Sequence, residues 1–320
     1  MNYKEFENEL NITLHKIVDL EAYNIVFQGQ LKNNGQYLDG VVIKAKDNVI
    51  APIIYLDSWY DEYLRGKSIE DIAEGILNLA GKSMDNITLD DIPKLDWDAI
   101  KERLTVAVIN ADANEEMLVN TPHRRIEDLA VIPKILVKGD TLGNGIIRVT
   151  KEILGKIGKT KDEVLNQAIN NTNQLNFSCR NMYDVLKDNI GVDSDMMDEL
   201  YCSTQGPQMY VVTLPNGIDG ASILACRERL QNVVESIGDD VYILPSSTDE
   251  VLMIPKKSGV DVESLANMVH EVNSTEVPPD KILSDNVYQY DRVAQKLSIA
   301  TASVTEKHVP IRGKAKHMSM

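Results

Sequence analysis

Two short apolar runs, each ending in proline, lie close together in the last third of the chain. They are Val241–Pro245 (Val-Tyr-Ile-Leu-Pro) and Val251–Pro255 (Val-Leu-Met-Ile-Pro), and the five-residue polar segment Ser246–Glu250, the hairpin tip, joins them. Apolar runs of this length joined by Ser, Thr and Asp are typical of a β-hairpin. Four apolar residues in succession at Val241–Leu244 predict that both faces of the first strand are covered, one of them by a helix over Cys226–Ile237.

Other hairpin and helix signals follow no regular alternation of strands and helices. Asn33-Asn34-Gly35 separates two strand-like segments and suits a tight turn, because Asn and Gly tolerate positive φ. Thr160 and Glu163 form a capping-box signal. The predicted strands are 23–31, 37–44, 49–55, 104–109, 129–137, 210–214 and 220–225, and the predicted helices are 6–17, 57–64, 68–80, 161–171, 182–189, 195–201, 226–237 and 261–272. This mixture predicts an α+β fold, with antiparallel or mixed sheets built from hairpins and helices packed on them.

The polar stretch 82–103 is the candidate boundary between two parts of the chain. It contains Asp90-Asp-Ile-Pro93, which interrupts the apolar pattern. We predict a module of helix, hairpin and helix over 1–82, an α+β main domain over 104–297, and a flexible basic tail over 298–320. A single continuous domain is the alternative.

Charge and composition limit the partners and the compartment. With 33 Lys and Arg against 49 Asp and Glu, the formal net charge is −16, so phosphate backbones are repelled and nucleic acid is not expected as a partner. The apolar runs are far shorter than the roughly 20 residues of a membrane-spanning helix, and no secretory signal opens the chain. Cys179, Cys202 and Cys226 form no C-x-x-C pair, so we interpret them as free thiols of a cytoplasmic protein.

Motifs that would bring a cofactor or a metal are incomplete. Gly143-Asn-Gly145 begins like a dinucleotide fingerprint but lacks the third glycine, and no P-loop pattern occurs. His270-Glu271 opens a zinc-protease motif, but Ser274 stands where the second His is needed. Adjacent acidic pairs are expected from 49 acidic residues and lack the calcium-loop spacing; they are Asp90-Asp91, Glu115-Glu116, Asp239-Asp240 and Asp249-Glu250. We predict neither a cofactor nor a metal.

A histidine, two guanidinium groups and two carboxylates lie within the six residues from His123 to Asp128. Asp128 would orient Arg124 or His123, and these groups together with Arg125 would then bind an anion. A structural network of ion pairs at the start of the next strand is the simpler interpretation.

The hairpin tip offers hydroxyl and carboxylate groups from Ser246, Ser247, Asp249 and Glu250. If the following helix brought His270 close, a Ser/His/Asp relay would be formed. However, no G-x-S-x-G elbow is present, and no glycine brings an oxyanion donor near. Since Ser, Thr and Asp also favour turns by bonding their own backbone, we interpret the tip as a turn and keep a hydrolytic site as the alternative.

Several segments share the pattern of one known family. They are Leu38–Gly40, Ala51–Tyr55, Val149–Leu154, Met209–Thr213, Gly220-Ala221, Asp240–Pro255 and Leu283–Asp291, so the similarity extends over most of residues 1–295. These segments resemble an uncharacterised bacterial family, a domain of unknown function that is common in anaerobic low-GC Gram-positive bacteria and often encoded near mobile elements. Members more often carry His where this chain has Asp249, which weakens a catalytic interpretation of the tip. The resemblance implies a context and no reaction.

Taken together, these patterns favour a non-enzymatic cytoplasmic protein that binds another protein, as an accessory factor of a mobile element. The missing cofactor motifs, the acidic charge and the hairpins support this prediction. The predicted strand Val49–Tyr55, interrupted by Pro52, reads as an edge strand on which a partner strand would dock. A hydrolase that uses the hairpin tip or the His123–Asp128 segment is the alternative, and the sequence leaves the oligomeric state open.

Overall fold

The computed structural model describes residues 1–46, 51, 53–85, 94–137, 145–190, 207–245 and 247–300. This part of the chain forms three antiparallel sheets with helices packed on them, which confirms the α+β class. The helices are α1 Tyr3–Ile17, α2 Asp57–Leu64, α3 Ile69–Asp85, α4 Trp97–Ile100, α5 Glu115–Asn120, α6 Lys151–Ile157, α7 Lys161–Asn173, α8 Met182–Ile190, α9 Arg227–Ile237 and α10 Val262–Thr275. The strands are β1 Tyr23–Leu31, β2 Tyr37–Ala45, β3 Ile54–Tyr55, β4 Leu104–Asn110, β5 Arg124–Ile126, β6 Leu129–Val137, β7 Gly145–Arg148, β8 Ser178–Asn181, β9 Tyr210–Thr213, β10 Val241–Leu244, β11 Glu250–Pro255, β12 Tyr288–Asp291 and β13 Lys296–Ile299.

The first sheet has the order β1-β2-β3 and packs one face against α1, α2 and α3. β1 and β2 pair residue by residue along their whole length, without a bulge. Phe6, Leu10 and Leu14 recur every four residues on α1 and are fully buried, so they form one apolar stripe. This stripe shares a core with Val41 and Ile43 of β2. The opening helix and the first hairpin therefore lie where the sequence predicts them.

The turn between β1 and β2 binds later parts of the chain. Asn34 adopts the left-handed conformation, with φ of 56°. Its side-chain amide donates to the backbone oxygens of Pro279 at 2.9 Å and Ile282 at 2.6 Å. Its backbone N–H donates to Asn114 Oδ1 at 2.8 Å, and the Asn114 amide donates back to Asn34 Oδ1 at 2.9 Å. These bonds fix the turn of the first hairpin to the loops after β4 and α10.

The second sheet has β6 at its centre, with β4 on one side and β5 and β7 on the other. The outer edge of β4 lies against α7, which supplies hydrogen-bonding side chains to it. Thr172 Oγ1 accepts from the Val106 N–H at 3.1 Å, and Asn171 Nδ2 donates to the Leu104 oxygen at 2.9 Å. Helix α7 thus closes an edge that would otherwise present unpaired backbone groups.

The third sheet has six strands in the order β13-β12-β10-β11-β9-β8, with the predicted hairpin at its centre. Val241 and Ile243 face the core that contains Val234 of α9. Leu244 belongs instead to a second cluster with Leu265 of α10. Both faces of β10 are therefore covered, and α9 covers one of them, as the apolar run predicts.

The predicted strand over 220–225 is wrong, because these residues form a 3-10 helix. The segment starts at Asp219, which has a positive φ of 59°, and lies across the ends of β9 and β11. The Gly220 N–H donates to the Asp249 oxygen at 3.0 Å, and the Ala221 N–H donates to the Thr248 oxygen at 3.2 Å. These bonds run to the hairpin tip, so the segment does not pair along a strand.

Several predicted segments lie partly or wholly outside the described residues. The predicted edge strand 49–55 is represented by the two-residue β3, since 47–50 and 52 are outside. Residues 86–93 of the predicted boundary 82–103 also lie outside the described residues. So do the whole predicted helix 195–201 and residues 301–320 of the predicted tail. The stretch 112–125 contains α5 and the start of β5.

Candidate functional site

The hairpin tip is organised by its own hydrogen bonds. Ser247 Oγ accepts from the Asp249 N–H at 3.0 Å, which is the kind of local bond that the turn interpretation expects. Thr248 is buried, and its N–H donates to the Lys281 oxygen at 2.9 Å. Ser246 lies outside the described residues.

Contacts with the segment around Gly220 hold Asp249 in place. The Asp249 backbone oxygen accepts from the Gly220 N–H at 3.0 Å and from Thr213 Oγ1 at 2.7 Å. A Cβ on Gly220 would lie 2.2 Å from this oxygen, so a larger residue does not fit. The Asp249 carboxylate accepts from the Asp219 N–H at 3.1 Å and forms an ion pair with Lys281 at 2.8 Å. The side chain of Asp249 is therefore engaged in fixing the tip.

Two further ionisable groups lie at this end of the third sheet. Burial, together with the neighbouring Asp249 carboxylate, raises the pKa of Glu250 at the start of β11. Lys134 of β6 has a side chain that is only 8% exposed, and it forms a close ion pair with Asp219. Since the desolvation of such a pair offsets much of its attraction, the pair fixes the segment before Gly220 more than it adds stability.

The imidazoles of the predicted sites do not reach a hydroxyl or carboxylate partner within the described part of the chain. His123 Nδ1 lies 2.9 Å from the backbone oxygen of Thr121. His270 is exposed on α10 and forms neither a hydrogen bond nor an ion pair with a described residue. Among the residues that the structure describes, both rings thus lie without the hydroxyl or carboxylate partner that a relay needs.

The side chains of the His123–Asp128 segment point to different parts of the molecule. Arg124 donates to Asn166 Oδ1 at 2.9 Å, whereas Arg125 forms an ion pair with Asp112 at 3.1 Å. They diverge because neighbouring residues of a strand point to opposite faces. Both guanidinium groups therefore contact residues outside the segment.

Asp128 contacts the first residue of β12 and the segment before this strand. Its carboxylate accepts from Ser284 Oγ at 2.6 Å, from Asn286 Nδ2 at 3.0 Å and from the Tyr288 hydroxyl. Burial, with the Asp128 charge next to it, raises the pKa of Tyr288 above the ordinary value for tyrosine. The sequence analysis missed these three donors, and the only signal for them is the family-like segment Leu283–Asp291.

β1 forms a long edge that no described residue pairs with. Its nine residues, Tyr-Asn-Ile-Val-Phe-Gln-Gly-Gln-Leu, contain neither a charge nor a proline. The other outer strands of the three sheets are shorter or covered: β3 has two residues, β5 has three, β7, β8 and β13 have four, and α7 covers β4. Natural sheets protect edges with charges, prolines, bulges or short strands, and β1 has none of these features.

The register of the first sheet shows which backbone groups of β1 point outward. The Lys46 N–H donates to the Ala22 oxygen at 2.9 Å, and these two residues lie one position beyond the pair Tyr23 and Ala45 of the register. Bonded and non-bonded pairs alternate in an antiparallel ladder, so the even-numbered residues of β1 bond to β2. The N–H and C=O groups of Ile25, Phe27 and Gly29 therefore point away from the sheet.

The two faces of β1 also differ. Ile25 and Phe27 pack partly buried against the core under the sheet, whereas Val26 is 48% exposed on the opposite face. Tyr37 of β2 is 67% exposed, and its ring lies over Gly29. An added strand would extend the apolar layer beside Ile25 and Phe27.

The described residues contain no group of three or more His, Cys, Asp or Glu side chains that could hold a metal ion. In the same residues, no helix combines the length and the apolar character needed to cross a bilayer. A surface depression of about 440 Å³ is lined by the polar residues Arg227, Glu228, Gln231, Asn232 and Gln295. Small-molecule pockets are mostly apolar and enclosing, so this depression does not resemble one.

The two described cysteines, Cys179 and Cys226, are free thiols, as the sequence predicts. Burial raises the pKa of Cys226 to about 12 and also raises the pKa of Cys179. Neither thiol is therefore activated as a nucleophile. Cys202 lies outside the described residues.

A family model matches most of the chain. The model, described as "Family of unknown function (DUF5688)", covers residues 3–292, which include every strand from β1 to β12. No curated protein matches the chain, and no solved structure matches it. The family match confirms the resemblance to a family whose function is unknown, whereas the bacterial distribution and the mobile-element context stay predictions.

Proposed function

The chain belongs to this family of unknown function, DUF5688, and we propose that it is a protein-binding module that accepts an extended segment of a partner protein as an added strand on β1. In this mode, backbone hydrogen bonds to the sheet edge supply affinity, and side chains on alternate positions supply specificity. The proposal makes the chain a binding protein and assigns it no reaction.

The length and composition of the β1 edge carry this proposal. Nine uncharged residues are enough to pair with a partner strand of ordinary length. The outward N–H and C=O groups lie beside a partly buried apolar layer, so a partner strand would gain both hydrogen bonds and apolar contact. The sequence predicts a docking edge at 49–55. We propose β1 in its place, because the described strand within 49–55, β3, has only two residues.

The net charge of the chain favours another protein over a second copy as the occupant. Two copies that met at β1 would each bring a formal net charge of −16, whereas a neutral or basic segment meets no such repulsion. The accessory role in a mobile element and the cytoplasmic location, both predicted from the sequence and the resemblance, fit such a partner and stay predictions.

Two substitutions at Gly29 test the proposal. Both add a Cβ that would lie 2.2 Å from the Tyr37 ring, which is exposed and can move aside. Gly29→Ala keeps the outward N–H, whereas Gly29→Pro removes it and places a ring at the edge, where proline is tolerated. Peptides of about twelve residues, selected on the full chain from a random display library, would exceed the nine-residue strand and serve as probes.

We expect Gly29→Pro to weaken peptide binding about tenfold or more relative to Gly29→Ala, because the peptide loses a bond and leaves a carbonyl unpaired. The free energy of unfolding of both variants should be measured in parallel. Equal affinities for the two variants would place the peptides elsewhere and contradict the proposal. A self-association of the wild-type chain that Gly29→Pro abolishes would make a second copy the occupant and would also contradict it.

A further inference from the structure

Two side chains of β2 converge over Gly29, at the proposed docking edge. If a Cβ were present on Gly29, it would lie 2.2 Å from Tyr37 Cε1 and 3.2 Å from Asp39 Oδ1. Asp39 is directly opposite Gly29 in the register, and Tyr37 is opposite Leu31. Since Gly29 has no side chain, an aromatic ring and a carboxylate occupy the space above its backbone on the core side of the sheet.

The Asp39 carboxylate has no cation bound to it within the described residues. Its backbone oxygen accepts from the Leu56 N–H at 2.9 Å, but no ion pair or hydrogen bond involves its side chain there. Asp57 and Asp61 on α2 are likewise without a cationic partner in the described part of the chain. Burial raises the pKa of Asp57, and the charges of Asp39 and Asp61 raise it further. The ion pair of Lys4 is with Glu7, which raises the pKa of the Lys4 ammonium, and Lys4 lies near enough to Asp39 for that charge to raise it further. Asp39, Asp57 and Asp61 therefore leave an excess of negative charge at this point.

An added strand would bring one of its side chains to this point. Gly29 presents its N–H and C=O outward, so the partner residue opposite it would form a bonded pair with it. Directly opposed residues of a sheet place their side chains on the same face. The side chain of that partner residue would therefore lie beside Gly29 on the face that holds Tyr37 and Asp39.

Resting on the proposed function, we infer that the partner segment carries an arginine or lysine opposite Gly29, which pairs with the Asp39 carboxylate and lies against the Tyr37 ring. Because Gly29 has no side chain, a long basic side chain of the partner can pass over its backbone and reach both groups. A guanidinium can also stack on the exposed Tyr37 ring. Partner residues opposite Phe27 and Ile25 would be apolar, since these side chains pack partly buried in the core layer. If the partner strand pairs antiparallel to β1, its sequence from the N-terminus is therefore basic-x-apolar-x-apolar, opposite Gly29, Phe27 and Ile25.

The test uses the display-selected peptides and pairs of isosteric changes. In each peptide that Gly29→Pro weakens, the basic residue is replaced by arginine or by its neutral isostere citrulline. Asp39→Asn removes the carboxylate charge in the protein, and Glu228→Gln, on the distant helix α9, makes the same change in net charge as a control. Binding is titrated at low and at high salt.

We expect the wild-type chain and Glu228→Gln to prefer arginine over citrulline about fivefold at low salt. Asp39→Asn should lose most of this preference and leave the affinity for the citrulline peptide unchanged. If peptides bind in a manner sensitive to Gly29→Pro but show no enriched basic residue and no effect of Asp39→Asn, this inference is wrong and the proposed function stands. If no peptide shows sensitivity to Gly29→Pro, both are wrong.

Discussion

The edge strands β4 and β1 differ in whether other parts of the chain bond to their outer backbone groups. β4 is apolar and its outer edge is closed from within, because Thr172 and Asn171 of α7 bond to the outward groups of Val106 and Leu104. β1 is equally free of charge and longer, but no described residue bonds to its outward groups. An uncharged edge is unfavourable when it is left bare. The chain closes the β4 edge with its own helix, whereas the β1 edge is unpaired within the described residues and is the edge on which we propose that a partner strand docks.

The closed edge is the place where a substitution should have the largest effect. Thr172→Val keeps the shape of a residue that is 1% exposed but removes the acceptor 3.1 Å from the Val106 N–H. The N–H is then buried without a partner, so we expect a loss of about 1–3 kcal/mol in the free energy of unfolding. Urea denaturation measures this loss.

Thr13→Val on α1 is the matched control, because no described residue bonds to the Thr13 hydroxyl. Threonine and valine have similar helix propensities, so this control should cost little. If the free energies of unfolding of Thr172→Val and the control differ by less than about 0.5 kcal/mol, the bond from Thr172 does not stabilise the β4 edge. The contrast between β4 and β1 would then be wrong.

A smaller effect concerns the start of α7, the helix that closes β4. The Glu163 carboxylate accepts hydrogen bonds from the Thr160 N–H and the Thr160 hydroxyl, and it forms an ion pair with Lys159. These three interactions lower the pKa of Glu163 from 4.5 to about 2. Because the folded pKa lies below the unfolded one, the ionised group stabilises the folded chain fully above pH 4.5. This contribution is lost as the pH falls from there toward 2.

Glu163→Gln should therefore be less stable than the wild type near neutral pH, and the difference should shrink below about pH 4.5, the ordinary pKa of the group. Urea denaturation of both proteins at several pH values, from neutral pH to below about pH 4.5, measures this difference in the free energy of unfolding. A difference that stays constant over this range would show that the charge of Glu163 does not support the start of α7.

Local patterns predict most of the helices and strands, but they do not predict which sheet edge lacks a partner within the described part of the chain. The limits of β1 at Tyr23 and Leu31 and the helix start at Thr160 follow from nearby residues, and the structure confirms them. Closure of an edge depends on residues far along the chain: Thr172 lies 66 positions from Val106. The sequence therefore predicts that β1 is a strand but does not predict that only β2 pairs with it among the described residues.

The candidate site shows the same limit. Closeness in sequence suggested a joint role for Arg124, Arg125 and Asp128, but a strand directs neighbouring side chains apart. The donors to Asp128 lie 156 to 160 positions away, beyond any local pattern. Gly220 was assigned to a strand for a similar reason, because its contact with the hairpin tip is visible only in the folded chain.

Amide hydrogen exchange along β1, followed residue by residue by NMR, tests the central claim most directly. In the chain alone, the even-numbered amides of Asn24, Val26 and Gln28 bond to β2 and should exchange slowly, whereas those of Phe27 and Gly29 point outward and should exchange fast. On binding of a display-selected peptide, the outward amides should slow about tenfold or more while the others stay unchanged. Outward amides that are already protected in the chain alone, or that stay fast with the peptide bound, would contradict the account.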